Sequence, residues 1–158
     1  MRLVVAVTSF VVPGQPVPKG RPRASVRGGR VHMRTPARTV AYEDAVAWAA
    51  RHAAFGKALD MVEGTDTARP LAVSIVAVLA RVGRLDKRGL TAGRVWAHGS
   101  TADADNIAKA VLDGMQRGGA LANDRHVVDV RCRMVYAAAG EAAHTWVTVR
   151  EVEGGEVP

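Results

Sequence analysis

Leu71-Ala72-Val73-Ser74-Ile75-Val76-Ala77-Val78-Leu79 decides the fold of this chain. The run is rich in Val and Ile, and apolar residues fill both alternating sets of positions. It therefore predicts a strand buried on two faces, in the middle of a sheet. Nine residues with a serine among them fall far short of the ~20 that cross a bilayer, and no longer apolar stretch exists, so a soluble protein is expected. Leu3 to Val12 reads as a first strand and not as a signal sequence, because Thr8 and Ser9 interrupt it and Pro13 ends it without a small-residue cleavage site. Downstream, Val128, Val130, Cys132, Met134 and Tyr136 alternate with Asp129, Arg131 and Arg133, which predicts a half-buried strand with a largely basic outer face. Thr145 to Val152 supplies another strand, expected beside it across the Ala137 to His144 connection.

Two helices separate these strands. Thr35-Pro36 predicts a helix start, the Thr hydroxyl capping an orphan N–H and the proline sitting in the first turn, with the helix running to about Phe55. Tyr42, Val46, Ala49 and Ala53 form its core-facing stripe; Trp48, Arg51 and Phe55 fall on another face, expected to pack within the chain or against a partner subunit. Asp105 to Gln116 predicts a second helix with Ile107, Ala108, Val111, Leu112 and Met115 on one face, Asp105, Lys109 and Asp113 on the other, and Gly118-Gly119 ending it. The order of elements predicts an α+β (mixed α/β) fold: a single sheet of about four strands with two main helices packed on it. At 158 residues one domain, 1–158, is expected, with a tail that frays at about residues 153–158.

The apolar fraction of 48% overstates the core, since 28 residues are Ala and only seven are aromatic; a partner subunit would help such a core. Twenty-two Lys and Arg against fifteen Asp and Glu give a net charge of +7, which favours a polyanionic partner. No long basic amphipathic helix points to a membrane, so nucleic acid is the expected partner. Two loops carry the charge, at about residues 13–34 and 81–102. Lys19 to Arg38 holds seven basic residues and no acid, with Gly20, Pro22, Gly28 and Gly29 predicting an extended arm or loose hairpin. Arg81 to Ala102 adds Arg84, Lys87, Arg88 and Arg94. Lys19, Arg21, Arg23, Arg84, Lys87 and Arg88 are the candidate DNA-backbone contacts. The single Cys132 cannot form an internal disulfide, which fits a reducing compartment and a cytoplasmic location. The five His residues show no zinc spacing.

Asp103-Ala104-Asp105-Asn106-Ile107-Ala108-Lys109, followed by Asp113 and then Asn123-Asp124, is the candidate site. Residues two apart in an extended lead-in project to one side, so Asp103 and Asp105 aim together. Asp113 lies about 12 Å up the helix from Asp105 at ~1.5 Å per residue, too far to share an ion, and is expected to support the site by pairing with Lys109. The connection from Arg117 to Asn123 can span ~23 Å extended, enough for Asp124 to return to the Asp103 end. Mg²⁺ is held by a few carboxylates together with waters and phosphate oxygens, and Mn²⁺ is a possible substitute. Acids gathered in a basic protein make electrostatic sense where a cation bridges them to phosphate, with Lys109 holding charge on the phosphate. The bland reading makes Asp105 an N-cap, Asp103 a loop acid, Lys109 and Asp113 a surface pair, and Asp124 and His126 ordinary surface residues. An Asp-x-Asp pattern also occurs at phosphatase and glycosyltransferase sites, but there it follows a hydrophobic strand, and here it follows His98-Gly99-Ser100-Thr101 and opens a helix.

The chain resembles the RusA family of Holliday junction resolvases, Mg²⁺-dependent endodeoxyribonucleases of DNA recombination and repair often found in phages and prophages. The resemblance rests on Pro16-Val17-Pro18-Lys19-Gly20-Arg21-Pro22-Arg23, on Tyr42-Glu43, on the block from Asp103 to Asp113, and on Asp124 before Val127-Val128. It implies that Asp103, Asp105 and Asp124 are catalytic, metal-binding carboxylates and Lys109 the essential lysine, with Asp113 a further acidic position. It also implies a homodimer, paired nicks across branched DNA such as a four-way junction, and 5′-phosphate products. Asn123 stands where the family often has a second Asp, and His126 where it often has Gln. Two other functions fit the composition: a non-catalytic nucleic-acid-binding dimer that keeps the fold, and a metal-dependent phosphohydrolase acting on small phosphate esters.

Overall fold

The structure is a computed structural model that describes residues 7–87 and 92–153. Arg88, the start of the expected first strand and nearly all of the expected tail lie outside the described residues. In chain order the elements are β1 (Val7–Pro13), β2 (Arg23–Arg27), β3 (Arg30–Arg34), α1 (Ala37–Ala53), β4 (Leu71–Leu79), a short α2 (Gly83–Lys87), β5 (Val95–Trp96), α3 (Ala104–Arg117), a 3-10 turn (Asp124–His126), β6 (Val127–Tyr136) and β7 (His144–Glu151). The fold is α+β as expected, but the main sheet has five strands, in the order β1-β7-β4-β6-β5, and β2 and β3 form a separate two-stranded hairpin.

β4 lies mid-sheet, as its apolar faces require, parallel to β6 and antiparallel to β7. It therefore separates two strands expected to be neighbours. The link between them is long enough to pass over one strand, because strands lie ~4.8 Å apart and each extended residue spans ~3.3 Å. β7 pairs instead with β4 and β1, where Val147 and Val149 reach the core.

One face of the sheet carries α1 and α3. Val12, Ile75 and Val147 from the strands meet Val46, Ile107, Val111 and Met115 from the helices, all fully buried. The helices cross in close contact at Gly114, where an added Cβ would stand 2.6 Å from the Cβ of Val46. α1 begins one residue later than expected: Pro36 is its N-cap and no side chain caps it. Trp48 and Phe55 are 66% and 89% exposed, so the expected packing of that face within the chain does not occur among the described residues. α3 ends at Gly118, and Gly119 turns the chain with φ 76°.

Candidate active site

α3 packs on β6, and its polar face lines a cleft with that strand. Asp105, Lys109 and Asp113 stand one helical turn apart on that face, and Asp124 joins them from the 3-10 turn before β6. Together they line a cleft of about 550 Å³ floored by Val130 and Cys132 of β6. Asp103 is the N-cap residue of α3, in extended backbone, and makes no side-chain cap bond. It opens with Asp105 onto an adjoining hollow beside His98, Ser100 and Met134. Asp105 thus borders both concavities. Among the described residues no three His, Cys, Asp or Glu side chains stand close enough to hold one ion.

Charge pairing separates the acids. Asp113 does not pair with Lys109; its carboxylate lies 2.7 Å from the Lys19 ammonium, which also lies 2.5 Å from Glu43. Burial alone would depress the Lys19 pKa, but the bonds to Asp113 and Glu43 outweigh it and hold the ammonium above its ordinary value. Lys19 is therefore engaged by two carboxylates and ties the arm to α1 and α3 in this arrangement. Asp105, Lys109 and Asp124 remain exposed, with no side-chain hydrogen bond or ion pair among the described residues. Two free carboxylates beside a free ammonium suit a hard divalent cation, which takes one or two protein carboxylates and keeps waters and phosphate oxygens as its other ligands.

The turn carrying Asp124 is held from below by a residue the sequence did not single out. Asp60, fully buried in the α1–β4 connection, accepts the Ala122 N–H at 2.7 Å on one oxygen. Its other oxygen accepts the Asn123 N–H at 3.0 Å and His126 Nδ1 at 2.7 Å. A carboxylate only accepts, so His126 carries its proton on Nδ1. His126 is thus a buried-side anchor and not the plain surface residue expected. Burial would raise the Asp60 pKa, but the bonds from Ala122, His126 and Asn123 together hold it below the ordinary aspartate value. The Asn123 side chain accepts the Arg125 N–H at 3.1 Å and caps the turn, so its oxygen is already engaged. A lone acid in a polar loop carries no local signal of such a role. Glu43 did carry one, as an acid beside Tyr42 on the buried side of α1, where it now meets Lys19 and Arg117.

At the cleft floor, burial and the nearby Asp105 charge push the Cys132 thiol up to about 11, which disfavours its thiolate at neutral pH. The candidate basic residues fall in two groups along the chain. Arg21 and Arg23 are exposed on the arm. Arg84 sits 5.8 Å over the Tyr136 ring, and Lys87 ends α2 in solvent. Arg81, by contrast, is tied down by Asp86 and the Ala137 carbonyl.

The family model described as Endodeoxyribonuclease RusA matches residues 13–150, a span that includes every one of these site residues. The chain is also 30% identical over 145 residues to a Bacillus subtilis (strain 168) protein named "Uncharacterized protein YqaN", an overlap covering 90% of this chain and 95% of that protein.

Proposed function

The chain belongs to the RusA family of endodeoxyribonucleases, and from that premise we propose that it is a Mg²⁺-dependent, homodimeric nuclease that resolves four-way junctions or related branched DNA. The observation that carries this reading is the cleft in which Asp105, Asp124 and Lys109 stand unpaired within a chain of net charge +7. Asp105 and Asp124 would hold the ion, and Asp103 would join them only by turning its carboxylate out of the adjoining hollow. A bound divalent ion offsets phosphate charge and makes water a better nucleophile at neutral pH.

The remaining chemistry belongs to the chain's own groups. Lys109 donates to a non-bridging phosphate oxygen and holds the negative charge that grows there as water attacks phosphorus. The P–O3′ bond breaks, water's oxygen stays on phosphorus, and the leaving 3′ oxygen takes up a proton, giving 5′-phosphate and 3′-hydroxyl ends. Asp113, engaged with Lys19, keeps the lysine arm rooted on α3 and does not touch the reacting atoms. An isologous dimer matches a four-way junction, since both offer two equivalent sites about a two-fold axis. The lone Cys132 suits a cytoplasmic enzyme.

Titrating Mg²⁺ or Mn²⁺ into the protein by calorimetry tests the metal assignment. Saturable binding that is lost in Asp105→Asn and in Asp124→Asn is expected; binding unchanged by both would remove the assignment. Tight junction binding that needs no metal and yields no product would favour a non-catalytic binding module.

A further inference from the structure

The β2–β3 hairpin has two opposite faces and covers neither of them. Its register pairs Arg23 with Arg34, Ser25 with His32 and Arg27 with Arg30 on one face, and Ala24 with Met33 and Val26 with Val31 on the other. In an antiparallel pair, directly opposed residues project to the same side, so one face holds four arginines and a histidine, and the other is entirely apolar. All ten residues are exposed; Val26, Val31 and Met33 are 70%, 68% and 65% accessible. Gly28 and Gly29, with φ 57° and 74°, close the ribbon in the primed type of turn that suits its twist.

Neither face is stable alone. Arginines directly opposite one another repel, and an isolated two-stranded ribbon is marginal in water. A polyanion against the basic face reverses the sign of the first effect. The second face asks for apolar surface at the same place. Linear duplex DNA hides its base faces in the stack, whereas a branch point interrupts the stack and exposes them; apolar side chains are known to wedge into such steps. The ribbon is also rooted at the cleft: the Lys19 N–H donates to the Asn106 carbonyl of α3 at 2.8 Å, and Gly20 is pinned so closely that a Cβ there would stand 2.7 Å from Pro36 Cγ.

We propose that this hairpin is a two-faced ribbon that enters the branch point of the DNA, its arginine face following phosphates and its Val26–Val31 face resting on bases unstacked there. This rests on the branched-DNA reading above and deepens it: the arginine face supplies affinity, and the apolar face holds the branch-point bases unstacked.

The test uses the full chain carrying Asp105→Asn, so that nothing is cut, and a four-way junction labelled with 2-aminopurine either at the branch point or within one arm. The protein should raise branch-point fluorescence severalfold and leave the arm label unchanged. Adding Val26→Ser and Val31→Ser should abolish the rise while junction affinity stays within about threefold. Val26→Thr with Val31→Thr, which keeps the strand-favouring branched side chains, should weaken the rise and so separates lost contact from a melted ribbon. Arg27→Gln with Arg30→Gln should keep the rise at saturating protein but flatten the log-log salt dependence by roughly two units at ~0.9 per contact. An unchanged rise in both valine pairs would overturn the proposal. So would conversion of a dimer to a monomer by the serine pair in sedimentation, which would assign the apolar face to a second copy of the chain. Wild-type protein that cuts junctions without any branch-point signal would overturn the ribbon and leave the nuclease standing; protein that neither binds nor cuts junctions would fail the parent reading.

Discussion

Replacing Asp60 with asparagine should loosen the turn that carries Asp124 far more than so small a change suggests. The carboxylate takes one N–H on its first oxygen and two donors on its second. Asparagine offers a single oxygen, so whichever way the amide is turned, its NH₂ faces at least one part-buried donor. Bonds to a charged acceptor are worth about 1.5–3 kcal/mol each and an orphaned buried donor costs about 1–3 kcal/mol, so a net loss of roughly 3 kcal/mol is expected at pH 7. At about 2–4 °C per kcal/mol for a protein of this size, the melting temperature falls by roughly 6–12 °C. The pH dependence gives the sign an independent check. The Asp60 pKa is lowered in the fold, so its stabilisation is fully present above the unfolded aspartate value of ~3.9 and is lost as pH falls through the lower folded value. Wild type and Asp60→Asn should therefore differ most near neutrality and converge in acid. Thermal melts of both proteins from pH 7 down to pH 3 measure this. A difference below about 0.5 kcal/mol at pH 7, or one that stays constant into acid, would refute the clamp.

Lys19→Ala should destabilise the fold by about 1–2 kcal/mol, because it leaves the buried Glu43 with only the more distant Arg117 and Asp113 half-exposed without a partner, and it should leave the salt dependence of DNA binding unchanged. Removing Arg21 and Arg23 together should do the opposite, flattening the log-log salt slope by roughly two units with little change in melting temperature. Gly114→Ala drives a methyl into Val46 where α1 and α3 meet, and a loss of about 1–3 kcal/mol in denaturant melts is expected; a neutral result would mean that the helices can part freely.

Particular residues show what local pattern can and cannot reveal. Leu71 to Leu79 announced a central strand because apolar residues on both alternating positions have only one suitable environment. Gly28-Gly29 in a basic, Pro-flanked arm left an extended arm and a loose hairpin both open, and the structure forms the hairpin; the Ile107 to Met115 spacing with Gly118-Gly119 announced α3 within two residues at either end. Strand order was not legible, since alternation tells which side chains face inward but not which strand lies next; β4 therefore entered between β6 and β7 unseen. The candidate acids were legible from their spacing. Their partners were not: Asp60 acts on backbone N–H groups 62 and 63 positions later, and Lys19 pairs with Glu43, 24 positions away. Electrostatic pairing of this kind depends on tertiary placement, which composition and periodicity do not encode.

Cleavage of an end-labelled four-way junction beside a linear duplex of the same sequence, in Mg²⁺ or in EDTA, by wild-type and Asp105→Asn protein, tests the metal-dependent nuclease most directly. Paired nicks confined to the junction, present only with Mg²⁺ and lost in Asp105→Asn, are the predicted result. Tight junction binding without cleavage by wild type at any Mg²⁺ or Mn²⁺ concentration, or undiminished cleavage by Asp105→Asn, would contradict it.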